Sequence, residues 1–412
     1  MRLDMADQKK TKDGPGDAST RRGFVKAAGM GVIGATLAGG ARADVRTARP
    51  PRALALYVGT YTSGGTGSEG IYLYRLDLAD GSLTHAGTTA GVADPSYLTL
   101  DAGRRFLYAV NELEEFGGER SGAVSAFAVE RRTGALRLLN QRASKGGAPC
   151  YVTIAADGRF VLVANYLGGN VAVLPVRRDG RLGEAVDVEQ DAGSGPNRER
   201  QEAPHAHFVT LDRANRFAYS CDLGTDKVML YRFDGRTGAL SPNDPAYVAL
   251  KPGAGPRHLA FHPRGRFAYV LNELDSTVTA LAHDPARGTL RVLQTVSTLP
   301  AGFAAANTGA DIHLTPDGRF LYCSNRGHDS LAHFAVNART GALRPLGHTP
   351  TGGRTPRNFV IDPAGRFLLV ANQKSDNIVA FRLDPRTGAP GATGQTARVP
   401  SPVCLKLVAP FS

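Results

Sequence analysis

The sequence predicts an all-β fold: a seven-bladed β-propeller of four-stranded blades, closed by pairing of the C-terminal strand with the N-terminal blade. Three observations predict it. A strand motif typified by Asp317-Gly-Arg-Phe-Leu-Tyr-Cys-Ser-Asn325 recurs about every fifty residues, with its phenylalanine at Phe106, Phe160, Phe217, Phe267, Phe320 and Phe367. Gly-centred turns recur at the same spacing, at Gly81, Gly134, Gly180, Gly238, Gly288, Gly341 and Gly388, which makes seven units. The chain ends are complementary: Leu54-Ala-Leu-Tyr-Val58 reads as a second strand with no first strand before it, and Pro402-Val-Cys-Leu-Lys-Leu407 as a first strand without a partner.

Residues 1–43 read as an export signal. Ser19-Thr20-Arg21-Arg22-Gly23-Phe24-Val25-Lys26 resembles a twin-arginine motif, and Ala41-Arg42-Ala43 offers a small-residue cleavage site. The apolar run between them, Ala27 to Gly40, is glycine-diluted and shorter than the roughly 20 residues a spanning helix needs. The expectation is a twin-arginine translocase as transient partner, a periplasmic or secreted mature protein, and no stable membrane insertion. Residues 44–53 form a linker and 54–412 the propeller.

The composition, 42% hydrophobic and 21% charged, is globular. The signal holds eight Lys and Arg against four Asp, so of the formal charge of +12 about +8 belongs to the mature domain. Much of that excess is Arg in the recurring Gly-Arg-Phe turn, as at Arg159, Arg266, Arg319 and Arg366, spread around the repeat. Nucleic acid, which selects a basic stripe, is therefore not expected as a partner. A monomer with a mildly cationic surface, suited to acidic small molecules, is.

Within a unit, Pro95 to Leu100, Arg105 to Val110, Ala123 to Val129 and Leu136 to Gln141 read as four successive strands. Glycine in the turn after the third strand supplies the positive φ that a tight hairpin needs. The second strand is apolar on both faces, with Phe106, Tyr108 and Val110 on one and Leu107 and Ala109 on the other, so it must be covered twice. Blades stacked around an axis cover it and leave no long open edge. The Asn or Asp five residues after each phenylalanine (Asn111, Asn165, Asp222, Asn272, Asn325, Asn372) occurs in every unit, which marks it as a turn cap and not a catalyst. Cys150, Cys221, Cys323 and Cys404 lack the spacing of a zinc site. Whether Cys150 and Cys404 pair stays open.

In such a fold the first strand of each blade lines the central channel, and two rings of side chains surround one mouth. Ten residues before each phenylalanine lie Ser96, Cys150, His207, Arg257, Ala310 and Arg357; six after it lie Glu112, Tyr166, Leu223, Glu273, Arg326 and Gln373.

Six motifs in order between Leu54 and Leu407 resemble the lactonase family of seven-bladed propellers, which includes propeller-type 6-phosphogluconolactonase and a carboxymuconate cycloisomerase. They are Pro204-His-Ala-His207, Cys221-Asp-Leu-Gly-Thr-Asp226, Gly255-Pro-Arg-His258 with Phe261-His-Pro263, Asn272-Glu-Leu274, Ser324-Asn-Arg-Gly-His328 and Thr355-Pro-Arg-Asn358. The resemblance implies His207, Arg257, Glu273 and Arg326 as catalytic residues, the same four that the rings reach. Opening a lactone needs a base for water and positive charge for the oxyanion. Glu273 or His207 is the candidate base, and Arg257 and Arg326 suit the oxyanion and any carboxylate or phosphate. His205, two residues before His207 and so on the same strand face, is the substitute if the register differs. His205, Glu112, Arg357, Gln373 and Tyr61 are expected to contact substrate. His258 and His262 read as packing or turn residues. No metal or other cofactor is expected, although Glu112, Asn165, Asn272 and Glu273 would supply oxygen ligands to a cation. The expected function is an exported, 6-phosphogluconolactonase-like lactonase. The alternatives are a cycloisomerase acting on a lactone of a dicarboxylate and a non-catalytic binding propeller.

Overall fold

The computed structural model describes residues 52–411. The expected export signal, residues 1–43, and most of the expected linker lie outside the described residues. Seven four-stranded antiparallel sheets follow one another, and the only helix among the described residues is the short 3-10 turn Gln373–Ser375. No helix there is long and apolar enough to cross a membrane.

Blade 1 closes the ring. Its second strand, Ala53–Thr60, pairs on one side with Gly70–Asp77 and on the other with the C-terminal strand Pro402–Val408. Blades 2 to 7 begin at Leu98, Pro149, Ala206, Pro256, Thr308 and Pro356. The second strands Phe160–Asn165, Phe217–Asp222, Phe267–Asn272 and Phe367–Asn372 are buried at every position, as residues apolar on both faces require. Fourth strands such as Leu83–Ala90 face solvent on one side. Five of the six Asn and Asp residues bond backbone groups as expected of caps, Asn325 Nδ2 donating to Thr298 O and Asn372 Nδ2 to Thr351 O, whereas Asn272 Nδ2 donates to the Thr277 and Thr279 hydroxyls. All four cysteines are buried and unpaired.

Neighbouring blades grip one another through the repeating phenylalanine and glycine. Phe320 of blade 6 lies so close to Gly388 of blade 7 that a methyl group there would overlap its ring. The same contact joins Phe106 to Gly180, Phe160 to Gly238, Phe217 to Gly288, Phe267 to Gly341 and, across the closure, Phe367 to Gly81. Phe411 takes the place at Gly134. Tyrosine hydroxyls reinforce four of the seven, Tyr322 Oη donating to Gly388 O at 2.7 Å and Tyr57 Oη to Gly134 O at 2.6 Å. Arg159, Arg216, Arg266 and Arg319 sit over the same rings, Arg319 5.2 Å from the Phe320 centroid, and each donates to a backbone carbonyl of the next blade, as Arg319 does to Pro385 O.

Around the axis the inner strands touch in a closed loop. Tyr97 stacks on Tyr151 at 4.0 Å between centroids, Tyr151 meets Phe208 at 4.4 Å, and Phe208 meets His258 at 5.6 Å. His258 Nδ1 donates to Asp311 Oδ1 at 2.8 Å, and Asn358 Nδ2 donates to Asp311 Oδ2 at 2.5 Å. Asn358 Oδ1 accepts from Leu405 N, and Lys406 Nζ lies 4.2 Å over the Tyr97 ring, which returns the loop to its start. This layer is the floor under the mouth where the two rings converge. Burial drives Asp311 upward, but His313 and His258 outweigh it and hold its carboxyl well below the usual carboxylate range.

Gly388→Ala combines a φ of +73° with overlap on Phe320, whereas Gly394, at φ +79°, has open space around it. Urea unfolding should show Gly394→Ala losing about 1 kcal/mol through backbone strain and Gly388→Ala losing about 1–3 kcal/mol more through overpacking. Asp311→Asn should destabilise by about 1–3 kcal/mol at pH 7, because the buried donors His258 Nδ1, His313 Nε2 and Asn358 Nδ2 lose a carboxylate that accepts from all three. Its folded pKa is depressed, so that contribution is complete above about pH 4 and is lost as pH falls. The gap between wild type and Asp311→Asn should therefore narrow in acid.

Candidate active site

The inner ring is built on β-bulges. Register slips between Pro149 and Tyr151, Ala206 and Phe208, Pro256 and His258, and Pro356 and Asn358. The extra residues are Cys150, His207, Arg257 and Arg357. A bulge breaks the two-residue alternation of a strand and re-aims the extra side chain. Consecutive residues therefore both meet the channel: His207 and Phe208 each pack on His258, at 5.4 and 5.6 Å.

Two carboxylates, the buried Glu273 and the half-buried Glu112, anchor the polar groups. Glu273, which follows the second strand of blade 5, is a hub for guanidiniums. Its Oε2 lies 2.8 Å from Arg257 Nε and 3.0 Å from Arg326 Nη2, and its Oε1 accepts from Arg200 Nη2 at 2.8 Å. Burial pushes Glu273 up, but the Arg326, Arg257 and Arg200 charges prevail and bring it down to about 2. Arg257 also donates to Ala310 O and, at 3.2 Å, to His258 Nε2. Burial and the Arg257 charge lower His258 to about 4, so at neutral pH it is the uncharged Nδ1–H tautomer. Burial also lowers Arg326, to about 10, and leaves it cationic at neutral pH.

Glu112, the equivalent of Glu273 in blade 2, has different partners. Tyr61 Oη donates to it and lies 2.9 Å from both carboxylate oxygens, and Ser96 Oγ donates to Oε2. Arg357 Nη2 donates to Tyr61 Oη at 2.7 Å, one step removed from the carboxylate. Burial raises Glu112 despite Arg357, Ser96 and Tyr61.

His207 lies between the hubs. Its Nδ1 is 3.6 Å from Cys150 Sγ, and its Nε2 has no hydrogen-bond partner among the described residues. Burial, then the Arg257 charge, hold it well below the usual histidine range, so the ring is neutral. Burial raises the Cys150 thiol, which also feels the charges of Glu112, Arg257, Arg357 and Glu273, groups contributed by three blades.

The structure brings His207, Arg257, Glu273, Arg326, Glu112, Arg357 and Tyr61 together at one mouth. His205 and His207 both pack on Tyr166, at 4.4 and 5.5 Å. The His205 ring nitrogens face Tyr166 O and Glu202 Oε1. Gln373 occupies its ring position, and only its backbone makes a hydrogen bond, to Thr355 O. His258 and His262 are floor and turn residues, His262 Nδ1 accepting from Arg264 N. Asn165 and Asn272 turn their amides to Ser144 O and to Thr277 and Thr279, away from the two glutamates. No group of three His, Cys, Asp or Glu suited to a metal occurs among the described residues.

Arg200 was missed. It belongs to no ring but to the connection between Asp187–Gln190 and Ala206–Leu211. The fully buried Gln201 pins that segment, with Nε2 donating to Leu223 O and Asp226 Oδ1. The one signal was spacing, since the interval from Phe160 to Phe217 is the longest between successive phenylalanines.

A family model described as "Lactonase, 7-bladed beta-propeller" matches residues 55–407. A Bacillus subtilis 6-phosphogluconolactonase is 40% identical over 352 residues, 85% of this chain and 97% of that protein. One from Formosa agariphila is 34% identical over 310 residues, 74% of this chain and 86% of that protein. The solved structure of a periplasmic gluconolactonase from Pseudomonas aeruginosa superposes with a TM-score of 0.81 at 40% identity, covering 87% of this chain and 99% of that one. With fold, motifs and sequence agreeing over nearly all the described residues, the chain belongs to the lactonase family of seven-bladed β-propellers, carboxylic-ester hydrolases of the 6-phosphogluconolactonase kind.

Proposed function

We propose that the chain is an exported lactonase that hydrolyses a sugar lactone or related cyclic ester to the hydroxy acid. One observation carries the reading: a neutral histidine with an unpartnered Nε2 stands beside guanidiniums held in place by a single carboxylate. His207 Nε2 takes a proton from water, and the water oxygen adds to the lactone carbonyl. The arginines stabilise the oxyanion and anchor anionic substrate groups. Glu273 suits the base role less well than its place in the motif suggests. A carboxylate brought down to about 2 by three guanidiniums is a weak base, and its task is to position them.

Export fits the twin-arginine-like start and the periplasmic gluconolactonase among the relatives. It favours an unphosphorylated or extracellular lactone over a cytosolic sugar phosphate. The guanidinium-rich mouth also suits a dicarboxylate lactone, so a carboxymuconate assay belongs beside the hydrolase assay.

A pH-stat panel of lactones with mature protein, one arm containing chelator, tests this reading. Turnover should exceed the spontaneous rate with and without chelator. His207→Gln should lose about 10²–10³-fold in kcat with the fold intact, and equal rates would remove His207 as base. The neutral base form exists above the depressed His207 pKa. The acid limb of kcat/KM should therefore fall below the ordinary histidine value of about 6.5, and Glu273→Gln should lower activity without moving it. In cells, replacing Arg21 and Arg22 together by Lys should retain the precursor in the cytoplasmic fraction.

A further inference from the structure

Hydrolysis of a lactone needs two proton transfers, and the site holds two carboxylates in opposite surroundings. Glu273 touches three guanidiniums and stays ionised. Glu112 is contacted by hydroxyls alone, and among the described residues no guanidinium pairs with it. When two titratable groups in one site are driven apart in this way, the ionised one supplies fixed charge and the other is suited to move protons. We propose that Glu112 and Tyr61 are the acid pair that protonates the ring oxygen as the lactone opens, with Arg357 and Ser96 as their positioning residues. This assignment rests on the lactonase reading above.

The geometry supports each part. Tyr61 Oη is 2.9 Å from both carboxylate oxygens, so a proton can pass between phenol and carboxyl whichever oxygen carries it. Hydroxyls donate and accept. With Glu112 ionised, Tyr61 donates to it; with Glu112 protonated, the bond reverses and the phenol hydrogen is free to turn to a ligand. Arg357 fixes the phenol oxygen at 2.7 Å and lies 5.2 Å over the ring, and Ser96 fixes Oε2. Burial raises both Glu112 and Tyr61, which favours a protonated carboxyl and a neutral phenol. Glu112 and Glu273 follow the second strands Phe106–Asn111 and Phe267–Asn272 at equivalent positions, on the mouth that His207 lines from the first strand Ala206–Leu211.

The step balances. Water loses a proton to His207 Nε2 and its oxygen bonds to the carbonyl carbon. The bond from that carbon to the ring oxygen then breaks, its electron pair staying on the ring oxygen, which takes the Tyr61 proton. Tyr61 regains a proton from Glu112. The His207 imidazolium releases its proton to solvent, from which Glu112 is reprotonated.

The test compares an alkyl lactone, glucono-δ-lactone, whose leaving alkoxide needs a proton, with an aryl lactone, dihydrocoumarin, whose phenolate leaves readily without one. Glu112→Gln and Tyr61→Phe are near-isosteric, and a thermal melt checks that each is folded. Each should lower kcat on the alkyl lactone about 10²-fold with KM little changed, and lower kcat on the aryl lactone less than about threefold. Equal losses on both lactones, no loss on either, or a rise in KM with kcat unchanged would overturn the assignment. Failure of the lactonase reading would look different: wild-type protein with no turnover of any lactone.

Discussion

The site depends on the closed loop of contacts that passes through the seven inner strands. Tyr97, Tyr151, Phe208, His258, Asp311, Asn358 and the Leu405–Lys406 segment each touch the next, and the last touches the first. Half of that loop is aromatic packing and half is a polar chain centred on one carboxylate. The polar half is the constraining half, because a buried Asp311 must be satisfied from several directions at once. It draws its donors from blade 5 through His258, from blade 7 through Asn358 and from its own strand through His313. His258 also accepts from Arg257, so the floor sets the tilt of a guanidinium in the layer above. Geometry thus passes from floor to site through one neutral imidazole, which explains why that ring must be the Nδ1–H tautomer.

Outside the loop, the phenylalanine-on-glycine contacts space the blades. A side chain larger than hydrogen at those turns would force each pair of blades apart, and the positive φ independently favours glycine. Two demands on one residue type make the repeat legible from sequence. They also explain why Phe411, beyond the last strand, belongs to the fold: it occupies at Gly134 the place that the repeat phenylalanines fill elsewhere.

Fold, blade boundaries and closure were legible because they rest on periodic residues, each with one physical role. Two rings placed His207, Arg257, Glu273 and Arg326 at one mouth for the same reason: equal offsets in equal blades reach equal positions. Three features were not legible. The bulges insert a residue locally without changing the period of the repeat, so alternation does not show that adjacent residues such as His207 and Phe208 both reach His258. Arg200 comes from a connection whose path is set by Gln201 and Asp226, partners far from it in sequence. The division of labour between Glu112 and Glu273 is invisible in offsets, since the two are equivalent by position and differ only in their neighbours.

Arg200, Arg257, Arg326 and Arg357 face two carboxylates, one of them raised toward its neutral form, so the mouth carries uncompensated positive charge in partly desolvated surroundings. Burying like charges is unfavourable unless a counter-charge arrives. The rigid ring of blades is what holds the guanidiniums together in its absence, since no single blade carries more than one of them on its strands. An anion, or the oxyanion that develops during ester cleavage, relieves that repulsion when it forms. A transition state gains this relief more fully than a neutral ground-state carbonyl, so the repulsion among the guanidiniums is directed at the chemical step and not at binding alone.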